Sequence, residues 1–459
     1  MVIRGKKCYN TRQRGDTMRK VLHYLHEHYY LEVFVLCFFL LSFFIEPIMS
    51  AVEGQGFVFH PGKQVFAGYF EIMKSPSILV TDYVYVAGLG ATFFNVATIM
   101  LANILLVQGL RIKMNGPIFA GIMMIGGFSF FGKNIFNTIP IYLGIYLYSL
   151  MKKIPYRQLI ITILFSTGLS PLVSYTMFGF GLHLGISIPL GILCGIIAGF
   201  IIPMFASHTI VFHEGYNLYN TGFALGIISA LFFAVFTFCG LKVQSVSLYD
   251  SKTSIVFYYI LPIYSVLCII LAYANDLYVH KKYWELMKTN GRLISDYGGE
   301  FGVDAVLINY GVLGLVIFIL CLIFRVPMNG AVFGTIFAAI GFAGYGLHLR
   351  NVWPIWLGCG LTIFVGMAIK GDYTLTISSI MMFVFASGLA PVSGRYGIGY
   401  GLLIGAMHII MTPIMISFQG GFDLYNNGLA AGFEAAIVTV LAEKIFVRRK
   451  RHGRKSKDM

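Results

Sequence analysis

Long apolar runs alternate with short polar loops along most of the chain. Runs near twenty residues reach about 30 Å at about 1.5 Å per residue, the thickness of a bilayer core. The pattern therefore predicts an all-α polytopic membrane protein, whereas a β-barrel would show short alternating strands. The predicted spans are fourteen: 31–52, 84–109, 115–132, 136–151, 158–178, 185–207, 217–240, 254–275, 303–324, 329–346, 351–369, 373–392, 397–418 and 424–444.

The chain contains an internal duplication. Residues 79–144 recur as 293–358 at a constant offset of 214, with about twenty identical positions. The match resumes further on, where Thr167-Gly-Leu-Ser-Pro171 returns as Ser387-Gly-Leu-Ala-Pro391 and Leu218-Tyr-Asn-Thr-Gly222 returns as Leu424-Tyr-Asn-Asn-Gly428. Many transporters are built from such duplicated halves, with the binding site between them.

The duplication predicts five regions. They are a basic tail at 1–30, a first membrane repeat at 31–240, a linker loop at 241–253, a second membrane repeat at 254–446 and a basic tail at 447–459. Seven spans per repeat is an odd number, so the second repeat would be inverted relative to the first. A rival interpretation makes 158–178 and 373–392 re-entrant, which gives twelve crossings and parallel repeats. Span length favours the inverted arrangement with broken helices.

The distribution of charge along the chain predicts the membrane topology and the kind of partner. The chain is 58% hydrophobic and 11% charged, against about a quarter charged in soluble domains. The net charge is +14, but fourteen of the 33 Lys and Arg residues lie in 4–20 and 448–457. Such tails usually lie in the cytoplasm and contact anionic lipid, so nucleic-acid binding is not expected. The expected location is the cytoplasmic membrane, with both termini inside. Homo-oligomerisation stays open.

The first candidate site is a pair of proline breaks. Pro171 and Pro391 each free the carbonyl four residues earlier, at Thr167 and Ser387, both of which carry a hydroxyl. A broken helix with free carbonyls beside a hydroxyl can bind a small cation. The alternative is a packed kink whose freed carbonyl is capped by that hydroxyl.

The second candidate is the Leu-Tyr-Asn-x-Gly pair. Asn220 and Asn426 would orient the substrate, and Tyr219 and Tyr425 would add aromatic walls with polar tips. The alternative interpretation is a pair of helix N-caps followed by glycine turns.

The third candidate is the Met-Asn-Gly opening of spans three and ten, at Asn115 and Asn329. Short, glycine-interrupted spans at corresponding places in two halves often mark a transport site. Close helix packing through small residues is the alternative.

Ionisable residues inside spans are few, and Glu434 is the best candidate for ion coupling. It lies in an apolar stretch of span fourteen, where the first repeat has Ile228. A lipid-snorkelling or interfacial carboxylate is the alternative. Asp82 and Asp296 are predicted to cap helices. His183, His348 and His408 are predicted to be packing residues, since none has a second ligand at metal spacing. No metal and no cofactor are expected.

With these motifs, the chain resembles a family of bacterial integral-membrane proteins built around a duplicated domain of unknown function. The resemblance covers roughly 30–445 and implies membrane location and twofold repetition, without a substrate. The chain is also distantly similar to urea transporters, which carry Asn-Pro-x-x-Gly and Gly-Tyr-Asn. Asn115-Gly-Pro and Asn329-Gly-Ala depart from that pattern, so no urea-binding residue is transferred. The count of seven plus seven resembles inverted-repeat nucleobase and anion transporters in fold alone.

The predicted function is secondary transport of a small neutral or zwitterionic solute, coupled to Na⁺ or H⁺, by alternating access between the repeats. Scarce buried charge argues against a multiply charged substrate. A channel for a small neutral solute is the first alternative. An intramembrane enzyme or a scaffold is the second, although the sequence offers no convergent catalytic set.

Overall fold

The computed structural model describes residues 31–52, 63–244, 247–249, 254–424 and 426–455. The first repeat contains α1 (Leu31–Val52), α2 (Lys63–Lys74), α3 (Tyr83–Gly109), α4 (Gly116–Phe128), α5 (Ile135–Lys152), α6 (Ile160–Ser166), α7 (Ser170–Phe178), α8 (Leu184–Phe212) and α9 (Asn220–Phe238). The second contains α10 (Ile255–Asn275), α11 (Val279–Leu286), α12 (Tyr297–Phe301), α13 (Val303–Ile323), α14 (Gly330–Gly341), α15 (Leu349–Lys370), α16 (Ile377–Phe385), α17 (Ala390–Tyr396), α18 (Ile398–Gln419) and α19 (Asn426–Lys455).

Secondary structure other than α-helix is scarce in the described ranges. Short 3₁₀ segments occur at Tyr156–Leu159, Thr167–Leu169, Phe342–Gly344 and Ala386–Leu389. Strands β1 (Val80–Thr81) and β2 (Ser247–Leu248) form a two-residue parallel pair. The all-α prediction is therefore confirmed, with this one small addition.

The backbone repeats along with the sequence. Unusual positive φ angles recur at the same offset of 214, at Gly88 (83°) and Gly302 (86°), and at Gly132 (115°) and Gly346 (108°). Arg111 and Arg325 repeat the pattern with φ of 54° and 49°. Since non-glycine residues seldom adopt positive φ, the two halves share one fold down to single residues.

Ten of the described helices or helix pairs are long and apolar enough to cross a membrane, so the chain is a multi-pass membrane protein. The predicted count of fourteen full crossings is not confirmed. Predicted spans three and ten form α4 and α14, of only 13 and 12 residues. At about 1.5 Å per residue these helices reach about 20 Å, short of the bilayer core. Composition alone predicts one continuous apolar span at each of these places. The structure instead has a short, glycine-rich helix followed by a buried loop.

The two segments 53–83 and 276–302, which lie between predicted spans, contain the short helices α2, α11 and α12. Helix α2 packs against the start of α3, where a side chain added at Gly68 would lie 2.7 Å from the methyl group of Ala91. Charged and polar residues hide these helices from a hydropathy pattern. They form because one face packs on the adjoining span.

The two short helices α4 and α14 pack against each other in antiparallel fashion at the centre of the molecule. An added Cβ at Gly116 would lie 2.0 Å from the carbonyl oxygen of Gly344, and one at Gly127 would lie 2.4 Å from that of Gly334. The start of each helix thus meets the end of the other. Every residue of both helices is buried.

Each short helix is capped by an aspartate of the other repeat. Asp296 accepts a 2.8 Å hydrogen bond from the Gly116 amide at the start of α4. Asp82 likewise accepts from the amides of Gly330 and Ala331 at the start of α14. Each aspartate also caps its own helix, as predicted: Asp82 accepts from Val84 at 2.9 Å and Asp296 from Gly299 at 2.9 Å. These reciprocal caps join the two repeats.

Repeated asparagines hold the buried loops that follow the short helices. The Asn95 amide donates to the carbonyls of Ser129 and Lys133, both at 2.8 Å. Its counterpart Asn309 donates to those of Ala343 and Leu347, at 2.9 and 2.7 Å. Buried main-chain carbonyls need such donors because water is excluded.

We predict that Gly127→Ala destabilises the protein strongly. The new methyl group would lie 2.4 Å from a backbone oxygen and 2.5 Å from the Ala338 nitrogen, so α4 and α14 would have to separate. Overpacking of this kind costs about 1–3 kcal/mol or more. Thermal unfolding in detergent measures the effect. The control is Gly366→Ala in α15, where nothing lies within 4 Å of the added carbon; equal melting temperatures for both variants would contradict the helix packing described.

Candidate functional site

Two junctions join the repeats, and each combines both of the recurring motifs. At the first junction, the Leu424 amide in the α18–α19 loop donates to the Gly168 carbonyl in the α6–α7 break at 3.0 Å. At the second, the Leu218 amide in the α8–α9 loop donates to the Gly388 carbonyl in the α16–α17 break at 2.8 Å. The Leu-Tyr-Asn-x-Gly loop of each repeat therefore docks on the proline break of the other.

The first junction contains buried charge. Lys133, in the loop after α4, is fully buried, and its ammonium donates to the Thr167 hydroxyl at 2.7 Å. The same ammonium lies 5.0 Å from the centre of the Phe128 ring. Burial lowers the pKa of the Lys133 ammonium well below its usual range, and the negative charge of Asp423, also fully buried, opposes this shift. A basic side chain of one repeat and an acidic side chain of the other are thus both buried at this junction.

The second junction has the neutral residues Leu347 and Asn217 at the positions of Lys133 and Asp423. Tyr219 and Ser387 join their hydroxyls by a 2.9 Å hydrogen bond, and the Tyr219 ring packs edge-on against Phe342 and Phe385, with centroids 4.7 and 5.9 Å apart. Phe385 stacks in turn on Phe128 of the first junction at 5.5 Å. Aromatic rings therefore connect the two junctions.

Both proline breaks are 3₁₀ turns whose freed carbonyls have partners. The Thr167 carbonyl accepts from the Ser170 hydroxyl at 2.6 Å and from its amide, and the Ser387 carbonyl accepts from the Ala390 amide. The next carbonyl in each break is the one taken by the junction. In this conformation neither break presents the free carbonyls of the predicted cation site, so ion binding by Thr167 and Ser387 stays a prediction.

Asn220 and Asn426, predicted to orient the substrate, bond to the preceding helices; the substrate role stays a prediction, and Asn220 does not form the alternative N-cap. Asn220 turns back onto α8, accepting from Thr209 and from His213 Nε2, both at 2.9 Å, and donating to the Ala206 carbonyl at 3.0 Å. Asn426 accepts from Gln419 in the equivalent place. Both amides link the end of one helix to the start of the next. Tyr425 lies outside the described residues.

Asn115 and Asn329 cap the short helices. Asn115 accepts from the Ile118 amide at 3.1 Å, and Asn329 accepts from the Val332 amide at 2.9 Å. Because α4 and α14 are antiparallel, the two asparagines lie at opposite ends of the central pair. A shared role on one substrate molecule is therefore not favoured here, and their substrate-binding role stays a prediction.

Glu434 lies in a buried polar network. Its Oε2 is 2.9 Å from His408 Nδ1, and His408 Nε2 is 2.9 Å from the side-chain oxygen of Asn427. Glu434 and His408 are fully buried. Within the described part of the chain, Glu434 Oε1 has no hydrogen-bond partner. The first repeat has Ile228, Ile202 and Thr221 at these three positions.

Lys133 was missed by the sequence interpretation. It is the single charged residue between Lys113 and Lys152 and follows a glycine-rich apolar run. The repeat alignment places Leu347 at its position. That contrast, a charge in one repeat and leucine in the other, was the signal that could have found it.

An apolar groove lies elsewhere. It has a volume of about 980 Å³ and lies between α9 and the α18–α19 hairpin, lined by apolar groups such as Leu231, Phe238 and Phe418. Among the described residues that line it, Thr237 and Ser417 are polar. Such a surface suits lipid chains better than a polar solute.

A family model for a protein of unknown function, DUF1576, matches the chain twice, at residues 62–238 and 276–444. The chain belongs to the DUF1576 family. The two matches lie inside the two repeats and support a duplicated domain; they leave α1 and α10 outside. No curated protein and no solved structure matches this DUF1576 protein.

The burial of His213 predicts how the stability of this DUF1576 protein depends on pH. Burial lowers the pKa of His213 to about 4, and the hydrogen bond with Asn220 opposes this only in part. The unfolded chain binds a proton near pH 6.5, so stability is complete above that pH and falls as the pH drops towards 4. His213→Gln, which installs the residue of the second repeat, should remove about 2–3 kcal/mol of this loss near pH 4.5.

Melting temperatures in detergent between pH 7.5 and 4.5 measure the effect. His208→Gln, on the exposed side of α8, is the matched control and should retain the acid sensitivity of the unmodified protein. An identical pH profile for His213→Gln and the control would show that His213 is not buried in its neutral form.

Proposed function

We propose that the protein is a proton-coupled secondary transporter that moves a small neutral or zwitterionic solute by alternating access between its two repeats. Both termini would lie in the cytoplasm, and the repeats would be inverted. The antiparallel pairing of α4 with α14 supports inversion, because it places a twofold axis across the two central helices.

The observation that carries the proposal is the network of Glu434, His408 and Asn427. Ionisable side chains buried among membrane helices are costly and commonly serve proton or ion movement. The first repeat builds the same helix pair with Ile202 and Ile228, so packing alone does not require these groups.

The geometry fits one transferable proton. Because the Asn427 oxygen can only accept, His408 Nε2 carries a hydrogen and donates it. The 2.9 Å contact between Nδ1 and the carboxylate then requires one further proton, held by either group. Loss of that proton would leave a buried carboxylate against an imidazole lone pair, which is unfavourable unless the site opens to water. Proton release would thus accompany a conformational change.

The reciprocal junctions support alternating access. Each repeat contributes a broken helix and a docking loop, and among the described residues a main-chain hydrogen bond joins loop and break at each junction. Two pseudo-equivalent contacts of this kind can open one at a time, which would expose the region between them to alternate sides.

The test is proton-driven uptake in liposomes containing a pH-sensitive dye, with amino acids, nucleobases, urea and small anions as candidate solutes. A gradient of about one pH unit, worth about 1.4 kcal/mol, should drive about tenfold accumulation for one proton per solute. Glu434→Gln should abolish accumulation and solute-driven proton entry while exchange of solute persists. Glu443→Gln, an exposed carboxylate on the same helix, is the control.

Unchanged proton coupling in Glu434→Gln would exclude this role for the residue. Solute flux that does not saturate and ignores the pH gradient would favour the channel. No flux of any candidate solute, with a folded protein, would favour the enzyme or scaffold alternative.

A further inference from the structure

The buried charges of the first junction have no role in the coupling network. Lys133 belongs to the loop between α4 and α5 in the first repeat, and Asp423 belongs to the loop between α18 and α19 in the second. Both are 0% exposed. They lie where the Leu424 amide of one repeat meets the Gly168 carbonyl of the other. The charges therefore lie across the boundary that alternating access would open.

The second junction is built without these charges. Leu347 occupies the position of Lys133, and Asn217 occupies that of Asp423; both are buried. The main-chain hydrogen bond is the same length within 0.2 Å, from 2.8 Å at Leu218–Gly388 to 3.0 Å at Leu424–Gly168. The second junction thus keeps this hydrogen bond with neutral residues at both positions.

Burying two opposite charges gives little or no net stability compared with apolar residues of similar size. Charged groups in a membrane interior usually mark the path of a substrate or ion. Separation of the repeats would leave the ammonium and the carboxylate without each other. A molecule that carries both charges could then take the place of each, with its carboxylate on Lys133 and its ammonium on Asp423.

The surroundings fit a small solute of this class. Thr167 adds a hydroxyl to the ammonium at 2.7 Å. Phe128 and Phe385, stacked at 5.5 Å, extend an aromatic surface from Lys133 towards Tyr219 and Ser387. Charged recognition at one junction and an aromatic surface leading to the other would suit an amino acid with a small side chain.

We propose that Lys133 and Asp423 bind the carboxylate and the ammonium of a zwitterionic solute of the amino-acid class, and that in the conformation described each side chain occupies the position that the solute group of the same charge would take. This inference rests on the proposed transport function and specifies its substrate. It adds a positive group that the sequence interpretation, which favoured neutral or zwitterionic solutes from scarce buried charge, did not include.

The experiment is a thermal-shift measurement in detergent with alanine, propionate, propylamine, alaninamide and urea as probes, followed by a wider set of α-amino acids. At least one α-amino acid should stabilise the unmodified protein. Probes that carry one charge or none should bind at least tenfold more weakly or not at all. The panel decides the substrate class without any variant.

The double variant Lys133→Leu/Asp423→Asn then tests the residues. It installs the pair found at the second junction, and it leaves no unpaired charge, so it should fold with a melting temperature close to that of the unmodified protein. We expect it to lose the amino-acid shift. Each single variant removes one of the two opposite buried charges and keeps the other, so it should melt at a lower temperature than the double variant.

Other outcomes separate this inference from the transport proposal. A shift from urea or another neutral probe, retained by the double variant, would overturn the inference and leave neutral-solute transport standing. If an amino acid still raises the melting temperature of the double variant, Lys133 and Asp423 do not bind the solute and serve only as a contact between the repeats. If no α-amino acid raises the melting temperature, the inference is also rejected. Loss of proton coupling in Glu434→Gln with normal amino-acid binding would affect the coupling role alone.

Discussion

Every peptide group inside a membrane must find its hydrogen-bond partner within the protein, and the centre of this molecule is organised by that requirement. Helices satisfy it locally, but α4 and α14 end in buried loops, and α6–α7 and α16–α17 are interrupted by proline. Asn95 and Asn309 donate to the loop carbonyls, and the amides of Leu424 and Leu218 supply the broken helices. Because those last donors come from the opposite repeat, the same requirement that allows irregular backbone also joins the two halves.

The repeats agree where main-chain groups need partners and differ where chemistry is added. Aspartate caps, loop asparagines, proline breaks and positive φ angles occur twice. Lys133, Asp423, His408 and Glu434 occur once, opposite Leu347, Asn217, Ile202 and Ile228. A symmetric frame with asymmetric charges is what directional, coupled transport would use, since the two faces of the membrane offer different proton and solute concentrations.

Two separate groups of buried side chains would then serve solute recognition and proton coupling. The pair Lys133 and Asp423 lies across the boundary between the repeats and would recognise the solute, whereas Glu434 and His408 lie within the α18–α19 hairpin and would hold the proton. The hairpin loop that carries Asp423 leads directly into α19, which carries Glu434. Movement of this one segment would affect both sites, which provides a physical connection between solute binding and proton release.

The sequence by itself determined the membrane class, the duplication and the residues that recur, because hydropathy, offset and identity are properties of the chain. It also identified Glu434, since a carboxylate in an apolar helix is visible without coordinates. Only the tertiary structure decided that α4 and α14 are short, that each aspartate caps the helix of the other repeat, and that the loop carrying Asn220 docks on the break carrying Ser387. The cap of α4 and the docking contact join residues 180 and 168 positions apart. Lys133 belongs to both groups: its isolation was visible in the sequence, but its partner on the other repeat was not, because pairing across the boundary depends on how the halves pack.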